Sequence, residues 1–266
     1  MPVRSISLAS ATIQVFPDAE AACLAAASRI AETVHQAIDA RGRATLGLAT
    51  GATPLPVYRN LVAAHQAGKL SFAQVSTFNL DEYYPMAPTD PQSYRRYMDQ
   101  HLFNHVDIKS NAAHVFDGTV PETFANEYAA QFDRWIAAEG GLDLQLLGIG
   151  RNGHIGFNEP ADLPVDQAVR LPSRVMSLHP VTIADAAADF DGEAHVPRQA
   201  ITLGVGSILM ARTILVLAFG AKKAPIVARA LEGPITAEVP ASLLRTVPAE
   251  RVTWMVDRAA IADLAI

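Results

Sequence analysis

Five short runs, predominantly apolar or β-branched, set the limits on how this chain folds. They are Ala44 to Ala49, Val75 to Leu80, Leu142 to Ile149, Thr213 to Phe219 and Val252 to Val256. A continuous apolar run of this length reads as a strand covered on both faces. Between the runs lie segments with helical spacing. Pro17-Asp18 opens the first, with Asp18 as N-cap, and Cys23, Ala27, Ile30, Val34 and Ile38 form its apolar face up to Gly42. Thr53 and Pro54 fit the cap and first position of a second helix, with Tyr58, Leu61 and Val62 as its buried stripe. Ser93 to Leu102, Glu122 to Ala138 and Lys222 to Leu231 read as further helices, and Ile6 to Val15 as one or two edge strands. Such alternation of strand and helix predicts an α/β chain, a mostly parallel sheet with helices on both faces.

The 266 residues suffice for one large domain, and neither a repeat nor a linker divides them, so one domain over 1–266 is expected. The stretch from about Ala161 to Pro197 is irregular and rich in Pro, Asp and Gly, which suits a lid. Ile201 to Met210 is mixed in pattern. A formal charge of −6 argues against a nucleic-acid partner. No run approaches the roughly 20 apolar residues that span a bilayer, and the N-terminus has no secretory pattern. With Cys23 as the lone cysteine, expected to be a buried packing residue, a cytoplasmic enzyme is the expectation.

In open α/β sheets the ligand sits beyond the carboxyl ends of the strands. Three segments arrive there independently. Thr50-Gly51-Ala52-Thr53-Pro54 joins a strand to a helix start, where free N–H groups and the helix dipole favour an anion; on its own it is open between a phosphate site and a tight turn. Asp81 and Glu82 follow the second strand, and only one of two adjacent carboxylates can face a site while the other meets backbone. Gly148 to Pro160 brings glycines that let backbone approach a ligand, including Gly150 and Gly153, around His154 and Glu159. Metal binding needs at least three ligands and only these two are near, so no metal is expected. Lys222-Lys223 follows a strand and Gly220, and is open between a surface pair and a phosphate contact.

Taken together, LGLATGATPLPVYRNLV, FNLDEYYPM, PQSYRRYM, LLGIGRNGHIGFNEPA, AITLGVGSIL and PASLL resemble the glucosamine-6-phosphate deaminase family from Leu46 to Asp257. FNLDEY and GHIGFNEP are the specific elements; the related 6-phosphogluconolactonases share a Gly-His element without the Phe-Asn-Glu-Pro that follows here. The resemblance implies a modified doubly wound, Rossmann-like fold. It also implies isomerisation and deamination of glucosamine 6-phosphate to fructose 6-phosphate, with neither metal nor organic cofactor. Asp81 then matches the base at C2, His154 the ring opener, and Glu159 its carboxylate partner, with Asn152 in the same group. Thr50, Gly51, Ala52, Thr53, Gly150 and Lys223 match the substrate and phosphate cradle, and Glu82 and Tyr94 positions near the substrate.

Three departures bear on specificity. Asn152 stands where some members carry Asp. Ala188 stands where the family places a phosphate arginine after the lid, leaving Arg174 and Arg198 as candidates to replace it. Ser173-Arg174-Val175-Met176 lacks a lysine associated with an activator site, so no activation by N-acetylglucosamine 6-phosphate is expected. Other readings are the same chemistry on galactosamine 6-phosphate, a lactone hydrolase, or a non-catalytic sugar-phosphate sensor; the oligomeric state, from monomer to hexamer in the family, stays open.

Overall fold

The computed structural model describes residues 1–8 and 11–265. Strand β1 (Arg4–Leu8) and β2 (Ala11–Phe16) precede helix α1 (Ala19–Arg41), β3 (Ala44–Leu48), α2 (Leu55–Gln66) and β4 (Val75–Asn79). The chain continues through β5 (Asp81–Tyr84), α3 (Tyr94–His101), β6 (Ala113–His114), α4 (Glu122–Ala138) and β7 (Leu144–Leu147). Then come α5 (Val165–Ala168), β8 (Arg174–Ser177), α6 (Pro180–Ala186), β9 (Gln199–Thr202) and α7 (Val205–Leu209). Strand β10 (Thr213–Ala218), α8 (Ala224–Leu231) and β11 (Val252–Asp257) complete the order. The edge-strand reading of Ile6 to Val15 corresponds to β1 and β2, except where it falls on residues 9 and 10, which lie outside the described residues.

Eight strands form one sheet in the order β1-β2-β11-β10-β7-β3-β4-β6. Every pairing in it is parallel except β1 with β2. The expected α/β architecture is therefore the one observed. Along β10 the period-two alternation sends Ile214 and Val216 into the core on one face, and Leu215 and Leu217 into the core on the other. The first core holds α4, α7 and α8 against the sheet, and the second holds α1 and α2. Burial on both faces is what made these strands continuous apolar runs.

Local signals at the ends of α1 act as the sequence predicts. Asp18 accepts from the Ala21 N–H at 2.8 Å, and Gly42 closes the helix at φ 73°. Cys23 is buried on this helix, and burial pushes its thiol pKa up to about 11. Thr53 does not cap α2. Pro54 occupies the cap position and has no side chain to accept a hydrogen bond, so the helix start keeps its N–H groups uncapped.

The segment at 161–197 is more ordered than its composition suggests. Besides α5 and α6 it contains β8, which pairs antiparallel with β9, and β9 pairs antiparallel with β5. This second sheet, in the order β5-β9-β8, stands at the carboxyl edge of the first. Its strand β8 is short and half-exposed, so it lacks the apolar run that betrays a strand of the main sheet. Among the described residues no helix is long and apolar enough to cross a membrane.

At the opposite edge Asp143 ties β3 to β7. Its buried carboxylate accepts from the Thr45 N–H at 2.9 Å and pairs with Arg212 at 3.0 Å and with Arg41. Replacing Asp143 by Ala leaves a buried N–H unsatisfied and two guanidinium groups without their counter-ion. The expected loss is about 2 kcal/mol of unfolding free energy, read from a urea denaturation curve.

Candidate active site

At the centre of the sheet β3 and β7 are neighbours, and the strand order runs outward in both directions from them. The crevice above this switch point holds a cavity of about 1060 Å³. Four strand ends feed it: Thr50 to Thr53 after β3, Asp81 after β4, Gly150 to His154 after β7, and Lys222-Lys223 after β10.

The turn after β3 is held from behind. Tyr97 donates to the Gly51 carbonyl at 2.7 Å, Tyr58 donates to that of Ala49, and the Cys23 thiol lies 3.6 Å from that of Thr53. Gly51 takes φ 94°, in the region that favours glycine. Thr50, Gly51, Ala52 and Thr53 all line the cavity at the uncapped start of α2. That arrangement attracts an anion. Lys223 adds a cation on the same wall, with its ammonium 2.7 Å from the Ile149 carbonyl. Burial lowers its pKa.

Leu80 passes the chain from the large sheet to the small one. Its N–H donates to Leu48 at 2.9 Å, and its carbonyl accepts from Leu203 at 2.6 Å. The next residue, Asp81, is buried at the cavity wall. Burial, and after it the like charge of Glu82, raises the Asp81 pKa well above the usual carboxylate value. Gly156, at φ 57°, lets the next loop come this close: a Cβ there would lie 3.0 Å from the Thr202 hydroxyl and 3.4 Å from Asp81 Oδ2.

Glu82 does not face the cavity, contrary to the expectation that it binds substrate. Its carboxylate accepts from the N–H groups of Tyr83, Tyr94 and Arg95 at 2.9, 3.0 and 3.1 Å, and from the Ser93 hydroxyl at 2.7 Å. Apart from the Tyr83 N–H, in β5, these donors lie at the start of α3, so the carboxylate supports the Ser93 cap of that helix and fixes Tyr94. Tyr94 does line the cavity, and its ring stacks on Phe157 with centroids 6.0 Å apart.

The loop after β7 builds the third group. Its turn is closed by Gly153 N–H to Gly150 and Gly150 N–H to His154, both at 3.0 Å. The His154 ring lies against Gly150, where a Cβ would fall 2.3 Å from a ring carbon. Its Nδ1 is 3.3 Å from Glu159 Oε2 and 3.2 Å from the Thr182 hydroxyl, which leaves Nε2 for the cavity. Asn152 uses both ends of its amide: Nδ2 donates to Glu159 at 2.8 Å, and Oδ1 accepts from the His154 N–H at 3.1 Å. Burial pushes the Glu159 carboxyl up. His154, Thr182 and Asn152 together outweigh that, and its pKa ends below the ordinary value. Two carboxyls on one site are thus pushed apart, Asp81 upward and Glu159 downward, the pattern of a divided acid–base task.

Of the predicted positions, Thr50 to Thr53, Asp81, Tyr94, Gly150, His154 and Lys223 share the cavity; Asn152 and Glu159 stand behind His154; Glu82 stands apart. Sequence reasoning did not reach Thr182, Arg151, Asp185 or Phe157, which also line the cavity. Arg174 and Arg198 do not line it. Arg174 donates to Asn158 and Pro172, and Arg198 to the Glu193 carbonyl. Among the described residues no three His, Cys, Asp or Glu side chains form a group that could hold a metal ion.

The model of the glucosamine-6-phosphate isomerases/6-phosphogluconolactonase family matches residues 17–254. The chain belongs to that family. It is 42% identical over 252 residues to a glucosamine-6-phosphate deaminase of Rhodopirellula baltica, covering 95% of each chain. To the enzyme of the same name from Leuconostoc citreum it is 46% identical over 224 residues, covering 84% of this chain and 89% of the relative. The solved structure of a monomeric glucosamine-6-phosphate deaminase superposes with a TM-score of 0.86 at 35% identity, over 94% of this chain and 99% of that one. A 6-phosphogluconolactonase of Thermotoga maritima, 22% identical with a TM-score of 0.68 over 92% and 99% of the two chains, shares the fold.

The support that Glu82 gives α3 is open to direct test. Glu82→Ala removes the acceptor for three N–H groups and one hydroxyl. It is expected to cost about 3 kcal/mol of stability in urea unfolding. A loss below about 0.5 kcal/mol would mean that α3 does not depend on this cap.

Proposed function

We propose that this protein converts glucosamine 6-phosphate and water to fructose 6-phosphate and ammonia, in the breakdown of amino sugars. The observation that carries the reading is that Asp81 and His154, the latter backed by Glu159, line one cavity with the anion-attracting turn Thr50 to Thr53 and Lys223. The phosphate binds at that turn and sets the sugar between the two groups. His154, through Nε2, takes the proton of the C1 hydroxyl and delivers one to the ring oxygen, which opens the ring. Glu159, ionised and buried behind the ring, orients the imidazole and balances its charge. Asn152 and Thr182 hold this pair in register.

Asp81 then removes the C2 proton of the open aldehyde and returns it at C1. The C1 carbonyl becomes an alcohol and the C2 amine becomes an imine. Water adds to C2 and ammonia leaves, so the reaction needs no external oxidant or reductant. A C2 proton is weakly acidic, so the base has to be held against it and benefits from a pKa lifted toward the working pH. The burial of Asp81 supplies both conditions. Residues 1–266 act here as one domain, with 161–197 as a lid that carries Thr182 to the site. A cytoplasmic setting agrees with a lone, buried cysteine.

The test is ammonia release from glucosamine 6-phosphate and from galactosamine 6-phosphate. Release from neither substrate refutes the reading. Asp81→Asn is expected to lower kcat by about 1000-fold or more, together with exchange of solvent deuterium into C1 of the product. The base acts only when ionised, so kcat/KM falls as pH drops through the raised Asp81 pKa. That limb is expected well above the ordinary carboxylate range; a limb within the ordinary range assigns the proton transfer elsewhere. Gly150→Ala drives a methyl group into the His154 ring and is expected to reduce kcat about 100-fold while circular dichroism shows a folded chain. A variant with wild-type kcat would remove His154 from the ring-opening step.

A further inference from the structure

Three cationic side chains line the cavity: Arg151, Lys222 and Lys223. They are not equally available to an arriving anion. Lys223 is largely sunk in the wall and already donates to the Ile149 carbonyl. Arg151 is half-exposed and presents a guanidinium, the group whose planar fork fits phosphate oxygens in pairs. It is the one arginine among the described residues that lines the cavity.

Its fork is occupied. Arg151 Nε donates to Asp185 Oδ2 at 2.9 Å, and Nη2 pairs with Oδ1 of the same carboxylate. Asp185 belongs to α6 and is itself half-exposed. Ion pairs open to water contribute little, because solvent screens them and both side chains lose freedom to form them. A carboxylate held this way is a monovalent stand-in, in the mouth of an anion site, for the dianion that site is built to receive. Asp185 and Arg151 also act on Lys223 in opposite directions, which sets all three charges at the same end of the cavity.

We propose that Arg151 is the phosphate-binding arginine of this protein, resting on Asp185 until the phosphate of the substrate displaces it. The inference depends on the sugar-phosphate reading above and extends it. Arg151 does from the β7 loop what an arginine beyond the lid would do from the position of Ala188. Asp185 is its resting partner and competes with substrate for the same fork.

The two halves of the ion pair therefore have opposite effects on binding, and this makes the idea testable. Arg151→Ala is expected to raise KM for glucosamine 6-phosphate about tenfold or more, with a smaller change in kcat. Arg151→Lys, which keeps the charge and loses the fork, is expected to fall between that variant and the wild type. Asp185→Asn frees the fork and is expected to lower KM. Binding of inorganic phosphate, followed by calorimetry, is expected to change in the same order: weaker in Arg151→Ala and tighter in Asp185→Asn. Equal losses of affinity in Arg151→Ala and Asp185→Asn would overturn the proposal, since the pair would then serve only to fasten the lid. So would phosphate binding in Arg151→Ala within twofold of the wild type. The calorimetric arm needs no turnover. A wild-type protein that binds phosphate through Arg151 but releases no ammonia would defeat the deaminase reading and leave this one standing.

Discussion

The structure turns on Leu80, which belongs to two sheets at once. Its N–H completes the pairing of β4 beside β3, while its carbonyl receives the N–H of Leu203 from the small sheet. A single residue thus fixes where one layer stops and the other starts. Asp81 follows directly, with no loop between it and either sheet, and takes its position from two hydrogen-bonded layers. The base proposed at Asp81 has to meet a carbon-bound proton, and it needs such placement more than it needs strength.

The electrostatics of the site follow from the same junction. Glu82 turns away from Asp81 and spends its charge on the start of α3, yet stays close enough to disfavour ionisation of its neighbour. Asp81 receives burial without donors, while Glu159 receives burial with His154, Thr182 and Asn152 around it. The two carboxyls differ in pKa because of what surrounds them. Asn152 suits its place for a related reason: an amide has both a donor for Glu159 and an acceptor for the His154 backbone, where a carboxylate would have set two anions together.

What the sequence revealed divides along the two sheets. The central strands of the large sheet, β3, β7 and β10, are buried on both faces and announce themselves as apolar runs, and α4 spans the residues its pattern indicates. Strands β5 and β8 are four residues long, the first made of Asp-Glu-Tyr-Tyr and the second half-exposed, so neither periodicity nor hydropathy marks them. The site was legible where its residues sit at strand ends, as with Asp81 and His154. It was not legible where the fold brings distant chain together. Thr182 reaches His154 from α6, and nothing in its neighbours hints at that contact. For Glu82 chain geometry and resemblance diverged: the extended chain lets only one of two adjacent carboxylates face the site while the other meets backbone, whereas the resemblance put Glu82 near the substrate, and its carboxylate is bound by backbone N–H groups and Ser93.

Helix α6 carries Thr182 and Asp185 three residues apart, on neighbouring positions of one face. The first touches the imidazole of His154, and the second holds the guanidinium of Arg151. One short helix therefore contacts two side chains of the cavity lining. An anion that draws Arg151 from Asp185, as proposed, removes a tie between α6 and the β7 loop and leaves the Thr182–His154 contact in place. Both contacts thus depend on one seven-residue support, so a substitution that displaces α6 disturbs His154 and Arg151 at once.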